Sequence, residues 1–266
     1  MAHIIDEKTT LVPTFLAAAR YLLAQKNDDY QVRNLVLEIA DPVTMSSADA
    51  AMIRAVDEHM RAAADDAAIE RVAGTIFPQG VYLRHGYPAF FKKYLDIMSR
   101  SMKKGTWGTY AMRLMRRGKG ASTINPLEIL INKLKRATTG GHRYRNAYEL
   151  SVIDAQVDLA DNELDFGCEV PLYEPASDAA VINNMPCLSH LTFKLGADNT
   201  LHLTAIYRSH YYCAKALGNL IGLARLLAFV AESAELHVGS LTCISTFAKL
   251  DTEGWGGIRK VRALLA

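Results

Sequence analysis

A mixed α/β (α+β) fold in a single domain is what this sequence predicts, and three observations predict it. Runs with helical spacing dominate the first half of the chain. Runs that alternate apolar and polar residues lie mainly in the second, and no Pro-, Gly- or Ser-rich linker divides the 266 residues. Half of the residues are hydrophobic, enough for one large core.

The elements follow in order. Thr9 to Gln25 has Pro13 near its start and Leu11, Phe15, Leu22 and Leu23 at helical spacing, which predicts an opening amphipathic helix. Leu35, Leu37 and Ile39 alternate with other positions and end at Asp41-Pro42, which predicts a strand. Ser46 to Asp49 offers a helix start before an Ala-rich helix reaching about Ala64. Further helices are expected around Ala67 to Phe77, Tyr87 to Met102, Thr109 to Arg117 and Pro126 to Arg136, and a strand over Tyr148 to Leu159. Leu188 to Leu195 and Leu201 to Tyr207 are alternating runs joined by Gly196-Ala197-Asp198-Asn199, the composition of a hairpin turn. Tyr211 to Glu235 is apolar on most sides and reads as a core helix, with Gly218-Asn219 in its first half.

Charge and composition narrow the function classes. The net charge is +2, yet Lys103 to Arg145 carries eleven basic residues against Glu128 alone, so that segment holds +10 and the remainder −8. A solvated basic face, an anion site and a nucleic-acid surface all fit that clustering. Cys168, Cys187, Cys213 and Cys243 are far apart and form no C-x-x-C pair, which points to free thiols rather than a zinc site or a disulfide framework. The start, Met-Ala-His-Ile-Ile-Asp-Glu-Lys, has neither the basic opening nor the apolar core of a secretory signal. No uninterrupted apolar run approaches the roughly eighteen residues of a membrane span. The expectation is a cytoplasmic enzyme with no membrane partner.

The chemistry gathers at the predicted hairpin. Cys187 enters its first strand and Arg208 leaves its second, so antiparallel pairing sets thiol and guanidinium side by side. A nearby cation lowers a thiol pKa, and the thiolate is the reactive form. His190, three residues after Cys187 on a strand, is expected on the opposite face, which argues against a Cys-His protease pair.

Met185-Pro186-Cys187, then Tyr207-Arg208-Ser209, then Gly218-Asn219 stand in an order that resembles thymidylate synthase and its relatives that modify pyrimidines at C5. The likeness is best over Pro186 to Gly239. It implies a thymidylate-synthase-type mixed sheet flanked by helices, a homodimer, and 5,10-methylenetetrahydrofolate as one-carbon donor. It also implies Cys187 as nucleophile, Arg208 and Ser209 as phosphate ligands, and Asn219 as reader of a uracil-type base. Glu70 takes the place of the family's proton-organising glutamate by position. Trp107 and Tyr110, in Trp107-Gly108-Thr109-Tyr110, resemble the aromatic segment beside the ligand. Arg143 and Arg145 are the nearest candidates for arginines that reach a partner's phosphate, and Arg33 for one from an N-terminal loop. The chain departs from the family where Tyr211 replaces an Asp, Lys215 a Gly, and Lys249 and Asp251 the His and Tyr that hold the sugar.

The reading is thus a transferase that adds a one-carbon unit to C5 of a uridine-type nucleotide, through thiolate addition at C6. Two alternatives stand beside it: a relative that binds a nucleotide or another phosphorylated ligand without transfer, and a nucleic-acid-binding module built on the Lys103 to Arg145 segment.

Overall fold

In the computed structural model of the chain, residues 2–26, 29–64, 67–101, 108–117, 123–139, 148–151 and 186–266 are described. Two strand–helix–strand units organise them. In the first, β1 (His3–Thr10) leads through α1 (Leu11–Ala24) to β2 (Gln31–Asp41). In the second, β5 (Thr200–Tyr207) leads through α8 (Leu217–Ser233) to β7 (His237–Lys249). Both units pair their strands in parallel, the arrangement that needs a crossover helix. They meet where β2 and β7 pair antiparallel, and β4 (Leu188–Leu195) and β3 (Glu149–Ser151) extend the sheet beyond β5. The order is β1-β2-β7-β5-β4-β3, with the short β6 (His210–Tyr211) also against β7.

Register decides which residues enter the core. The row Leu35–Ser245–Tyr207–Leu188 and the row Leu37–Cys243–Ala205–Leu191 cross the sheet on one face, and all eight residues are fully buried. On the other face, Val36–Ile244–Ile206 and Thr242–Thr204–Thr192 stay half-buried with no described element over them. The helices pack on the first face. Between β2 and β3 these are α2 (Ser47–Ala63), α3 (Ile69–Ile76), α4 (Gln79–His85), α5 (Ala89–Ser101), α6 (Tyr110–Met115) and α7 (Pro126–Thr139). The last, α9 (Ile258–Leu265), ends the chain.

Local chemistry explains several boundaries. Ser46 accepts from the Asp49 N–H while Asp49 accepts from the Ser46 N–H, a reciprocal cap that starts α2. The β4–β5 hairpin closes with the Gly196 N–H on the Thr200 carbonyl, and Asn199 takes the positive φ of 62° that its short polar side chain tolerates. The helix Tyr212–Ser233 is long and apolar enough to cross a membrane by length and composition alone, but most of its surface is buried inside the molecule. Packing against the sheet and α3 accounts for its apolarity. Gly218 and Gly222, four residues apart, let α3 approach α8 closely: a Cβ on Gly218 would lie 2.6 Å from the Val72 Cβ, and one on Gly222 2.8 Å from the Ala73 carbonyl oxygen.

The expected α/β class and most expected elements are present. The opening helix starts at Leu11 because β1 occupies the residues before it; β1, β6, β7, α4 and α9 are additions to the elements read from sequence, and β6 takes Tyr211 from the expected start of the core helix. The expected strand over Tyr148 to Leu159 is seen as Glu149–Ser151, its remainder lying outside the described residues.

Candidate active site

The β4–β5 pairing brings Cys187 and Arg208 together. Leu188 pairs with Tyr207, and one step beyond the ladder the Arg208 N–H donates to the Cys187 carbonyl at 2.9 Å. The Arg208 guanidinium also donates to the Pro186 carbonyl. From the helical layer, the Tyr110 hydroxyl accepts from the N–H of Cys187 at 3.0 Å and of Leu188 at 3.3 Å. Tyr110 is buried at the start of α6, whose first turn the Thr109 hydroxyl caps by accepting from the Met112 N–H. Backbone pairing fixes Cys187 from one side and a buried phenol fixes it from the other. Ser209 is half-buried in the link to β6, where the Thr246 hydroxyl donates to the Tyr207 and Arg208 carbonyls.

The electrostatics at Cys187 differ from the expectation. Burial pushes its thiol above the usual range and outweighs the charges of Arg208 and Lys215, which pull it down. The thiol is half-buried against the core, so desolvation of a thiolate is the larger effect.

Behind Cys187 lies a buried polar group that sequence reasoning missed. His210 is almost fully buried, its ring stacked on Tyr207 at 4.1 Å between centroids and 6° between planes. Its Nδ1 meets the Ser245 hydroxyl at 3.0 Å and its Nε2 meets the Asn219 side-chain nitrogen at 3.1 Å. Burial lowers its pKa to about 3, so the ring is neutral at physiological pH. Asn219, in the first turn of α8, is thereby held by a side chain rather than by neighbouring backbone. The Tyr207 hydroxyl is fully buried with no hydrogen-bond partner among the described residues, and burial holds its pKa well above the usual value. The one sequence signal for His210 was a histidine at a strand-to-helix junction with no acidic neighbour; its partners lie nine and thirty-five residues away.

The departures from the family pattern have structural places. Tyr212–Ala216 forms a single π-helical turn ahead of α8 and carries the exposed Lys215. Asp251 accepts from the N–H groups of Cys213 at 2.8 Å and Ala214 at 3.1 Å, so it caps that turn. Lys249 is paired with Asp29 at 2.5 Å, and Tyr211 is exposed beside it.

Other expected site residues are elsewhere. Both Glu70 carboxylate oxygens are held by Arg225 of α8, each at 2.8 Å, and no residue of the Cys187 group touches them among the described residues. His190 meets Glu149 at 2.9 Å on the open sheet face, where it pairs with Ile206 beyond a bulge that follows Leu188 and interrupts the strand alternation. Arg33 is exposed on β2. Trp107, Arg143 and Arg145 lie outside the described residues. Of the basic segment, Arg113 is buried, which removes it from any solvated cationic face. Among the described residues, no group of three or more His, Cys, Asp or Glu side chains suits a metal ion. A cavity of about 430 Å³ opens along the outer side of α8, between Val43, Leu83, Ile221 and Phe229, and neither Cys187, Arg208 nor Asn219 lines it.

Comparison with known proteins gives a partial likeness. No family model matches the chain. A protein of Methanococcoides burtonii is 32% identical over 103 residues, 39% of this chain and 46% of that protein. One of Methanosarcina barkeri is 30% identical over 125 residues, 46% of this chain and 57% of that protein, and one of Methanosarcina mazei 32% over 80 residues, 30% and 36% respectively. Each is described as a "Putative thymidylate synthase". The chain spans about half the length of the first two of these curated relatives and 36% of the third. The chain is therefore similar to thymidylate-synthase-like proteins over part of its length.

Proposed function

We infer that this chain is a thymidylate-synthase-like transferase that adds a one-carbon unit to C5 of a uridine-type pyrimidine nucleotide. The observation that carries the reading is the pairing of Cys187 with Arg208 at the open end of β4 and β5, with Tyr110 bonded to the Cys187 backbone and Asn219 on the adjoining helix. The partial likeness to proteins described as thymidylate synthases supports it at the level of the family.

The chemistry follows from the residue types. Arg208, with Ser209 beside it, suits a nucleotide phosphate, since a guanidinium fork matches phosphate oxygens. The Cys187 thiolate adds to C6 of the ring, and the displaced π electrons make C5 nucleophilic with negative charge on O4. The Asn219 amide stabilises that oxygen and aligns the ring edge. The C5 proton would then be lost as the donor's nitrogen leaves the transferred carbon, and addition of water to that carbon, or of a hydride from the reduced donor, with expulsion of the Cys187 thiolate would restore the ring. 5,10-Methylenetetrahydrofolate, when bound, would supply the one-carbon electrophile; the exposed ring of Tyr211 suits stacking of a pterin, and the Lys215 ammonium suits an anionic tail.

We read the open sheet face, with its Val36–Ile244–Ile206 row, as the surface covered by a second copy of the chain. Sedimentation tests this: a dimer that Ile244→Lys dissociates is expected, and a monomeric wild-type chain at micromolar concentration contradicts it.

A specific observation favours one alternative, ligand binding without transfer: burial raises the Cys187 thiol, which disfavours the nucleophilic form. Tritium release from C5 of labelled UMP, dUMP, CMP and dCMP, with and without methylenetetrahydrofolate, separates the two. Release that Cys187→Ser abolishes is the expected result. Binding of a nucleotide with no release from any of the four substrates would leave the non-catalytic reading.

A further inference from the structure

The buried histidine behind Asn219 carries a second function for the same site. A carboxamide nitrogen has no free lone pair, so across the 3.1 Å contact it donates and the His210 Nε2 accepts. Nε2 is therefore unprotonated, and the neutral ring carries its proton on Nδ1, where the Ser245 hydroxyl accepts it at 3.0 Å. Tyr207, stacked flat on the ring, prevents the imidazole from turning over. With the amide nitrogen facing Nε2, the ring proton lies on Nδ1, the Ser245 hydroxyl accepts it, and Asn219 is left with one N–H and its carbonyl oxygen for other partners.

That orientation matters because an amide is ambidextrous. With donor and acceptor in one order it complements O4 and N3–H of uracil, and flipped by 180° it complements N3 and N4–H of cytosine. The flip would turn Oδ1 toward the lone pair of Nε2, and only a change of tautomer, with reversal of the Ser245 hydrogen bond, would relieve the repulsion. We propose that His210, held by Ser245 and Tyr207, is a positioning residue that locks the Asn219 amide in one orientation and so makes the site selective for one pyrimidine edge, that of uracil. This rests on the reading of Asn219 as the base-contacting residue.

Two measurements test it. On the wild-type protein labelled with ¹⁵N-histidine, long-range proton–nitrogen correlation reports the tautomer of His210 directly, with no ligand and no substitution. A proton on Nδ1 is expected, and a proton on Nε2 overturns the proposal. Affinities for dUMP and dCMP, and for UMP and CMP, are then measured for wild type, His210→Phe and Ser245→Ala. Phenylalanine keeps the stack on Tyr207 and removes the acceptor. The uracil-to-cytosine affinity ratio is expected to fall about tenfold in His210→Phe, the order expected from one neutral hydrogen bond, and to fall less in Ser245→Ala. A purely structural lesion weakens both nucleotides alike and leaves the ratio unchanged, which overturns the proposal while the nucleotide reading stands. Failure of the wild-type protein to bind any of the four nucleotides overturns both.

Discussion

Asp251 offers a sharp test of how the helix carrying Lys215 and Asn219 is held. Its carboxylate accepts two backbone N–H bonds at the start of the π-helical turn, yet burial outweighs them and the Lys215 charge, and raises its pKa from 3.8 to about 6. The folded protein therefore binds this proton more tightly than the unfolded chain. The stabilisation from that proton is fully present below about pH 4 and is lost as pH rises toward about 6. A shift of about two units corresponds to about 3 kcal/mol, most of it lost within that window. Asp251→Asn has no titrating group there. Its amide can accept from only one of the two N–H donors, a pH-independent loss of about 1 kcal/mol or somewhat more. Urea unfolding of both proteins across this range gives the difference in stability at each pH, which cancels the titration of all other groups. Wild type is expected to lose about 2–3 kcal/mol relative to the variant between about pH 4 and pH 7. Parallel stability curves would refute the reasoning, because they would mean that the carboxylate is hydrated well enough for burial not to dominate.

Three further outcomes are expected. Gly218→Ala places a Cβ 2.6 Å from the Val72 Cβ and 2.9 Å from the Ile69 carbonyl oxygen, so it should cost about 1–3 kcal/mol in urea unfolding; an unchanged midpoint would show that α3 and α8 can separate freely. Glu70→Gln breaks an ion pair whose carboxylate is largely exposed, and the loss of stability should stay under about 1 kcal/mol by thermal unfolding. Under native conditions iodoacetamide should label Cys187 before Cys213 and Cys243, with a pH midpoint above that of an ordinary thiol. Burial raises all three thiols, Cys243 to about 12, but leaves only Cys187 partly exposed, so early labelling of either buried cysteine by mass spectrometry would contradict the packing.

What could be read from the sequence was what short stretches encode. The Ser46–Asp49 cap, the Gly196–Asn199 turn and the alternation on either side of it are local, and together they place Cys187 beside Arg208 before any tertiary contact is known. β7 was harder to see. Its half-buried open face carries Ser240 and Thr242 opposite a core face that includes Gly239 and Ser245, so the apolar contrast along the strand is weak, and its central place comes from a parallel crossover. His210 depends on Ser245 and Asn219, partners that no local pattern announces. Glu70 was assigned by position along the chain, and its partner Arg225 lies 155 residues away.

The departures illustrate the same limit. Taken one at a time, Tyr211, Lys215, Lys249 and Asp251 read as losses from a family pattern. In the fold three of them are linked by charge: the Lys215 charge favours ionised Asp251, Asp251 caps the turn from which Lys215 projects, and the Asp251 charge adds to the hold of Asp29 on Lys249. Replacing Asp251 alone would leave the turn uncapped, and replacing Lys249 alone would leave Asp29 without its partner. Lys215 and Asp251 are thus coupled through one turn, and that turn joins the strand end that carries Arg208, the partner of Cys187, to the helix that carries Asn219.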